Sequence, residues 1–233
     1  AKPVILTGSQ LPISKIRTDG RENLLTSIEI AAARNDKGEA MVPEVCIFFE
    51  NRLLRGNRTT KINAEGFNAF RSFNFNSLAH AGIHIKYEEQ LIRRPLPGVP
   101  FKPHYLMDTN VVVLTLFPGI RREIVNIEGL KAVVLRTYGS GNAPQRQWFI
   151  ELLKEADKRG ILVVGVTQCS EGTIEMERYR TGMQLLETGI INGRDATVES
   201  TITKLMFLLG HNYTRERVRW LMNSDIAGEI TIR

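Results

Sequence analysis

Three runs of apolar, mostly β-branched residues constrain the fold of this chain most: residues 111–116, 132–135 and 161–166. Continuous apolar runs of this length are typical of strands buried on both faces of a parallel sheet. After the second run, the residue pattern predicts a helix that begins at Pro144 and ends at Gly160. Its apolar face would consist of Trp148, Phe149, Leu152, Leu153 and Ala156. The alternation of strands and helices predicts an α/β fold with a parallel sheet.

Two more helices are predicted after the third run. The first has apolar residues at helical spacing before Gly210, and Thr214 is placed to cap the second. Their apolar residues are Val198, Ile202, Leu205, Met206 and Leu209 in the first and Val218, Leu221 and Met222 in the second. We interpret both stripes as core and not as binding motifs.

A proline-rich segment divides the chain. It contains Pro95, Pro97, Pro100 and Pro103 together with Gly98, and such a segment cannot continue a helix or a central strand. We therefore expect a first domain over residues 1–94, a linker over residues 95–110 and a C-terminal α/β domain over residues 111–233.

The first domain begins with a predicted strand, loop and helix. Residues 3–6 predict a short buried strand, residues 7–12 a polar turn, and a helix begins near Asp19. Asp19 and Glu22 have the spacing of a capping box. The apolar face of this helix would consist of Leu24, Leu25, Ile28, Ala31 and Ala32.

Residues 55–61, which read RGNRTTK, are predicted to form a loop that carries a functional site. Gly56 permits a tight turn or a close approach to a ligand, and Lys61 would be a partly desolvated ammonium that acts on a nucleophile or carboxylate. The alternative is that Arg52, Arg55, Arg58 and Lys61 simply form a solvated basic loop.

Two polar segments follow strands of the predicted parallel sheet, where ligands of such sheets bind. They are residues 136–144 and residues 167–172. The first contains a GxG pattern but lacks the third glycine and the acidic residue of a dinucleotide site. The alternative is that Gly139 and Gly141 only allow a tight turn and that Asn142 caps the following helix.

Composition narrows the class of protein. The chain has 233 residues, a net charge of +6 and two cysteines, which we expect on different strands. The basic residues are spread along the chain, so nucleic-acid binding is not expected. Two cysteines and four scattered histidines predict no disulfide framework, no metal and a reducing compartment. No run of eighteen apolar residues occurs, so we expect no membrane span.

Five segments together resemble the bacterial type I L-asparaginases, in the same order and across essentially the whole chain. They read TGSQLP, RTDGRENLL, NRLLRGNRTTK, RTYGSGNAPQ and TQCSEG. The resemblance implies a larger N-terminal α/β domain, of which only the later part is present, and a smaller C-terminal α/β domain with a parallel sheet. It also implies a cytoplasmic enzyme that hydrolyses L-asparagine without a cofactor.

Two segments of the family do not occur in the sequence. They are a TGGTI-type segment, which carries the nucleophilic threonine, and a GTDT-type segment, which carries a second threonine and an aspartate. Most of the catalytic groups would then lie outside this sequence, and this chain alone would be inactive.

The resemblance also implies roles for individual residues. Lys61 would be catalytic, and Ser9, Gln10 and Asn142 would bind substrate, with Asn142 reaching the site of a neighbouring subunit. Thr60, Arg136 and Cys169 would bind an effector asparagine, which implies allosteric regulation. A working site at a subunit interface implies a homodimer or homotetramer.

Other interpretations stay open at this point. Ser9 and Gln10 fit a polar turn equally well, Arg136 fits a strand-end arginine paired with a carboxylate, and Cys169 fits a small buried residue. The chain also fits the asparaginase-like subunit of a tRNA-dependent amidotransferase. A third possibility is a non-catalytic asparagine-binding module that lacks the nucleophile.

Overall fold

The computed structural model describes residues 2–178 and 180–232, without the side chain of Arg178. The chain divides into two compact units, the first ending at Pro103 and the second beginning at His104. No helix in the described ranges is long and apolar enough to cross a membrane. Neither helix nor regular strand occurs between Leu91 and Val111. The boundary between the units falls inside the segment predicted to be a linker.

The N-terminal unit is a mixed sheet with one long helix. Its sheet has the order β1-β2-β3-β6-β7, in which β1 and β2 are parallel and the other neighbours are antiparallel. A separate hairpin is formed by β4 and β5. The elements are β1 (Val4–Leu6), α1 (Gly20–Ala32), β2 (Val45–Phe49), β3 (Arg52–Arg55), β4 (Thr60–Lys61), β5 (Phe70–Arg71), β6 (Ala79–Ala81) and β7 (Ile85–Tyr87). The core residues include Ile30, Val42, Cys46, Phe48, Leu53 and Leu78.

The strand β1 forms where it was predicted, but it is not buried. Val4 and Leu6 are 47% and 56% exposed, and only Ile5 packs against the core of this unit. The reason is that successive side chains of a strand point to opposite faces of the sheet. Val4 and Leu6 share one face with Val45, which is also exposed, and Ile5 points to the face that packs against the core.

The helix α1 differs from its prediction in two ways. Asp19 has helical backbone angles and makes no side-chain cap, so the predicted capping box does not form. The buried face consists of Asn23, Ser27 and Ile30, whereas the predicted apolar face is largely exposed. Asn23 and Ser27 can be buried because both side chains donate hydrogen bonds to backbone carbonyls.

The C-terminal unit confirms the predicted parallel sheet. Its four strands are all parallel and have the order β11-β10-β9-β8. The elements are β8 (Val111–Thr115), β9 (Ala132–Thr137), α2 (Gln147–Lys158), β10 (Leu162–Thr167), α3 (Arg180–Leu186), β11 (Ile191–Asn192), α4 (Val198–Gly210) and α5 (Arg215–Met222). One apolar cluster contains residues of α2, and another contains residues of α4 and α5. The side chains of β9 and β10 are almost all buried, whereas the edge strand β8 is only partly so.

The helices of this unit follow their predicted apolar patterns in part. In α4 the buried residues are Ser200, Thr201, Lys204, Leu205 and Leu208. Of the predicted stripe only Leu205 is among them, and the other members are partly buried. Phe149, Leu152, Leu153 and Ala156 are buried, as predicted, but α2 begins at Gln147 and not at Pro144. Residues 142–146 belong instead to the connection from β9. The capping role of Thr214 is confirmed, because its side chain accepts a hydrogen bond from the backbone N–H of Arg217.

A buried ion pair joins α4 to the segment after α5. The ammonium of Lys204 lies 2.5 Å from Oε1 of Glu229, and both side chains are about 5% exposed or less. Lys204 also donates to the carbonyl of Ser224 at 2.6 Å. Burial lowers the pKa of Lys204, although Glu229 opposes that shift.

Candidate active site

In the polar segment after β1, the residues on either side of Ser9 are hydrogen-bonded to other parts of the N-terminal unit. Thr7 donates its hydroxyl to the carbonyl of Phe48 at 2.9 Å. The N–H of Gln10 donates to the two carboxylate oxygens of Asp19 at 3.0 and 3.1 Å. Between these attachments, Ser9 is exposed. The segment therefore presents Ser9 to solvent on a backbone that is held in place.

Residues 55–61 do not form the predicted loop, and the segment from residue 52 to residue 61 has regular structure over most of its length. This segment consists of the strand β3, a 3₁₀ turn over Gly56–Arg58 and the strand β4. Gly56 is needed for close packing, since a Cβ atom there would lie 3.0 Å from the carbonyl oxygen of Val45. The close approach at Gly56 is thus to the backbone of β2.

Two arginines of this segment are buried, so the alternative of a solvated basic loop is wrong for them. Arg55 and Arg58 are 5% and 3% exposed. Arg55 pairs with Glu44, and both guanidinium groups lie over the ring of Phe75, at 4.4 and 5.2 Å from its centroid. These cations stabilise the structure that leads into β4.

Lys61 lies on the hairpin of β4 and β5, directly opposite Phe70. Its ammonium is 5.8 Å from the centroid of the Phe70 ring. The side chain is exposed, so the expected partial desolvation of Lys61 is not found within the N-terminal unit. No hydrogen bond or ion pair joins this ammonium to another described side chain. Lys61 therefore carries a charge that is not used in a structural pair with the residues described.

The structure brings the Ser9 segment to the hairpin that carries Lys61. The side-chain amide of Gln10 donates to the carbonyl of Gly66 at 2.9 Å, and Gly66 lies in the connection between β4 and β5. Thr60 precedes Lys61 on β4 and is half-buried. Ser9, Gln10, Thr60 and Lys61 thus belong to two neighbouring segments of one unit.

Arg136 and Cys169 lie at the same edge of the C-terminal sheet. Arg136 is on β9 and pairs in register with Val166 of β10, and Cys169 follows the end of β10. Cys169 is exposed and lies beyond the strand, so both the predicted strand position and the alternative of a small buried residue are wrong. Nε of Arg136 is buried and no described carboxylate pairs with this side chain, which removes the ion-pair alternative.

Gln168 connects three strands at this edge, and the sequence did not single it out. Its side-chain amide donates to the carbonyl of Leu116 at 2.7 Å and to that of Arg136 at 2.9 Å, and its N–H donates to Thr137. A glutamine amide has two donors, and both are used here. The only feature of the sequence that could have indicated this role is the position of Gln168 shortly after the apolar run of residues 161–166.

Asn142 lies in the tight connection after β9 and does not cap a helix. It exchanges backbone hydrogen bonds with Tyr138, and its side-chain oxygen accepts a bond of 2.8 Å from Thr181. Gly141 has a positive φ of 117°, and a Cβ atom there would lie 2.9 Å from Ile174. The side chain of Asn142 is exposed in this unit.

Across residues 2–178 and 180–232, no three histidine, cysteine or acidic side chains are grouped so that they could hold a metal ion. Apart from the Cys169 thiol, the side chains predicted to bind ligands are hydroxyls, amides and cations: Ser9, Gln10, Thr60, Lys61, Arg136 and Asn142. Such groups suit the binding of an amide or a carboxylate.

Each of the two units matches a model of a known protein family. Residues 1–93 match the family model "Asparaginase, N-terminal", and residues 110–222 match "Glutaminase/Asparaginase C-terminal domain". The chain is 43% identical to L-asparaginase 1 of Escherichia coli (strain K12), over 99% of this chain and 67% of that protein. The structure matches that of L-asparaginase I from Vibrio cholerae O1 biovar eltor str. N16961 with a TM-score of 0.90 and 40% identity, over 99% of this chain and 68% of that one.

A more distant relative is one subunit of the glutamyl-tRNA(Gln) amidotransferase of Pyrococcus horikoshii. It is 31% identical over 99% of this chain, but the match covers only 53% of that protein. Both family models, the identity across nearly the whole chain and the structural match agree, and this chain belongs to the asparaginase family.

Proposed function

We propose that the protein hydrolyses L-asparagine to L-aspartate and ammonia. The observation that carries this proposal is the match to L-asparaginase 1 over nearly the whole chain. The arrangement of the Ser9 segment beside the Lys61 hairpin supports it, because the hydrogen bond from Gln10 to Gly66 places an exposed hydroxyl and an exposed cation on neighbouring segments.

In the proposed reaction, a threonine hydroxyl attacks the side-chain carbonyl carbon of asparagine. The C–N bond breaks, and the amide nitrogen takes the proton that the hydroxyl gave up and leaves as ammonia. Water then hydrolyses the resulting ester to aspartate and regenerates the hydroxyl. The threonine belongs to the TGGTI-type segment that the resemblance implies, and this string does not occur in the 233 residues.

Lys61 is the proposed catalytic residue of this chain. A threonine hydroxyl is a weak nucleophile near neutral pH, so a nearby base must accept its proton. Lys61 would support that transfer together with the aspartate of the GTDT-type segment. Its fixed positive charge would also stabilise the oxyanion that develops on the amide.

Ser9 and Gln10 are the proposed substrate-binding residues of the N-terminal unit. The backbone of this segment is fixed by side-chain hydrogen bonds, which reduces the cost of ordering it around a ligand. Asn142 is proposed to bind substrate at the site of a neighbouring subunit, in a homodimer or homotetramer. We place the enzyme in the cytoplasm, as the resemblance to type I members implies.

Thr60, Arg136 and Cys169 are proposed to bind asparagine as an allosteric effector. Arg136 has a guanidinium with no described carboxylate partner, and such a group can bind the α-carboxylate of an amino acid through two hydrogen bonds. Thr60 and Lys61 are the two residues of β4, so a ligand that moves Thr60 would also move Lys61.

The test is ammonia release from L-asparagine by the 233-residue chain and by a longer chain that includes the TGGTI and GTDT segments. We expect hydrolysis by the longer chain only. No hydrolysis by the longer chain would overturn the proposal. Ammonia release that requires a misacylated tRNA would support the amidotransferase alternative, and asparagine binding without turnover would support a binding module.

A further inference from the structure

We propose that the first turn of α1 is a positioning element for the substrate segment, with Asp19, Gly20 and Asn23 acting through Ser9 and Gln10. This inference rests on the proposed function of Ser9 and Gln10. The inference starts from the observation that the side chain of Asp19, just before α1, does not cap the helix. The side chains of Asp19 and Asn23 instead form hydrogen bonds with the backbone of residues 8–11.

Asp19 is the central group of this element. Its carboxylate accepts hydrogen bonds from the N–H of Gln10 at 3.0 and 3.1 Å and from the N–H of Leu11 at 3.2 Å. Hydrogen bonds to an ionised acceptor are stronger than those between neutral groups. Asp19 therefore orients two successive peptide units on the C-terminal side of Ser9.

Asn23 holds the other side of Ser9. Its side-chain amide donates to the carbonyl of Gly8 at 2.9 Å and to Oδ2 of Asp19 at 3.3 Å. Asn23 is 4% exposed although it is polar, so its burial depends on these bonds. Thr18 adds a bond of 2.9 Å to the carbonyl of Leu11. The backbone is thus fixed on both sides of Ser9.

Gly20 provides the space that Ser9 occupies. A Cβ atom on Gly20 would lie 2.9 Å from Cβ and 3.2 Å from Oγ of Ser9. Gly20 is the first residue of α1, so an alanine there suits the helix and conflicts only with its neighbours. The absence of a side chain at position 20 therefore determines where Ser9 lies.

This arrangement predicts a particular kinetic effect. A substrate segment that is already in its binding conformation loses little entropy when substrate binds. In a folded variant of Asp19 or Gly20, the segment must be ordered by the ligand. The cost then appears in the Michaelis constant more than in the turnover number.

The test measures KM and kcat for L-asparagine in the hydrolytically active protein, with the variants Gly20→Ala, Asp19→Asn and Asp19→Ala. We expect KM to rise about tenfold or more in Gly20→Ala and Asp19→Ala, less in Asp19→Asn, and kcat to change less than about threefold. Gly20→Ala keeps the test decisive if Asp19→Ala does not fold.

The matched control is Asn35→Ala. The side chain of Asn35 also accepts bonds from two backbone N–H groups, those of Lys37 and Glu39, at 3.0 and 2.9 Å, but in a turn after α1. We expect this variant to lose stability without a change in KM.

Two results would overturn the inference, and they are distinguishable. If the unsubstituted protein does not hydrolyse asparagine, the proposed function fails and the positioning role fails with it. If the unsubstituted protein is active and KM stays unchanged in Gly20→Ala and Asp19→Ala, only the positioning role is wrong.

Discussion

Glu44 and Arg55 form a two-pronged ion pair inside the N-terminal unit. Nε of Arg55 lies 2.6 Å from one carboxylate oxygen of Glu44 and Nη2 lies 3.0 Å from the other. The two side chains are only 6% and 8% exposed. The same carboxylate also accepts a bond of 2.7 Å from the N–H of Arg93. This pair joins the start of β2 to the end of β3, from which the chain continues towards Lys61.

The change Glu44→Gln should reduce the free energy of unfolding by about 3–5 kcal/mol, because it removes the negative charge that pairs with the buried guanidinium of Arg55. Urea unfolding followed by circular dichroism measures the loss. The control is Glu155→Gln, which breaks exposed pairs with Arg122 and Arg159 and should cost less than about 1 kcal/mol. Equal effects of the two changes would contradict the stabilising role of Glu44.

The change Lys61→Met should reduce asparagine turnover by roughly a hundredfold to ten-thousandfold in the active protein, since a positioned proton-transfer group contributes about this much. Steady-state kinetics measure the loss. Because the Lys61 side chain is exposed in the N-terminal unit, the folded state should be unchanged. Lys86→Met, at an exposed position of β7, is the control and should retain full activity. Near-normal turnover of Lys61→Met would refute the catalytic role.

The change Arg136→Ala should convert a sigmoidal dependence of rate on asparagine concentration into a hyperbolic one, because it removes the cation proposed to bind the effector carboxylate. Initial rates over a wide range of asparagine concentrations test this. Arg121→Ala, at an exposed arginine of the same unit, should leave the curve sigmoidal. A hyperbolic curve for the unsubstituted protein would argue against an effector site.

The two cysteines should differ strongly in their reaction with a thiol reagent at about pH 8. Burial, together with the neighbouring charge of Glu44, raises the pKa of the Cys46 thiol to about 12, so its reactive thiolate is scarce. Cys169 is exposed and should react at once. We expect one fast thiol in the native protein and two after denaturation, and Cys169→Ser should abolish the fast phase. A fast second thiol in native protein would contradict the burial of Cys46.

The sequence predicted the C-terminal unit well because its pattern is local. Apolar runs and helical spacing depend on neighbouring residues, and the strands β9 and β10 and the buried face of α2 lie where these patterns place them. The predicted start of α2 at Pro144 was wrong because a proline is compatible with a first helical turn but does not require one.

Predictions failed where a side chain bonds to a distant part of the chain. Asp19 was expected to cap its own helix, yet its carboxylate binds the N–H groups of Gln10 and Leu11. Asn23 is buried because its side chain donates to the distant carbonyl of Gly8, and Ser27, which bonds within the helix, lies on the same buried side of α1. Hydropathy alone predicts that the opposite side of this helix is buried. Gln168 was missed for the same reason, since its partner Arg136 lies on β9 and its partner Leu116 follows the end of β8.

The candidate site itself was predicted by motif resemblance and not by residue pattern. Periodicity does not distinguish the exposed Lys61 from the buried Arg58, three residues earlier in the same basic segment. Which of these cations stabilises the fold and which is available for chemistry depends on the ring of Phe75 and on the hairpin geometry. Neither can be derived from spacing.

The ion pair of Lys204 and Glu229 makes the segment after α5 an integral part of the C-terminal unit. A protein shortened to Asn223 would lose both Glu229 and the Ser224 carbonyl, and the buried ammonium on α4 would keep the carbonyl of Met222 but not the carboxylate of Glu229. Such a protein would have to release that proton or open α4 to water. Engineered versions of this unit should therefore keep residues 224–229, even though that segment forms neither helix nor strand.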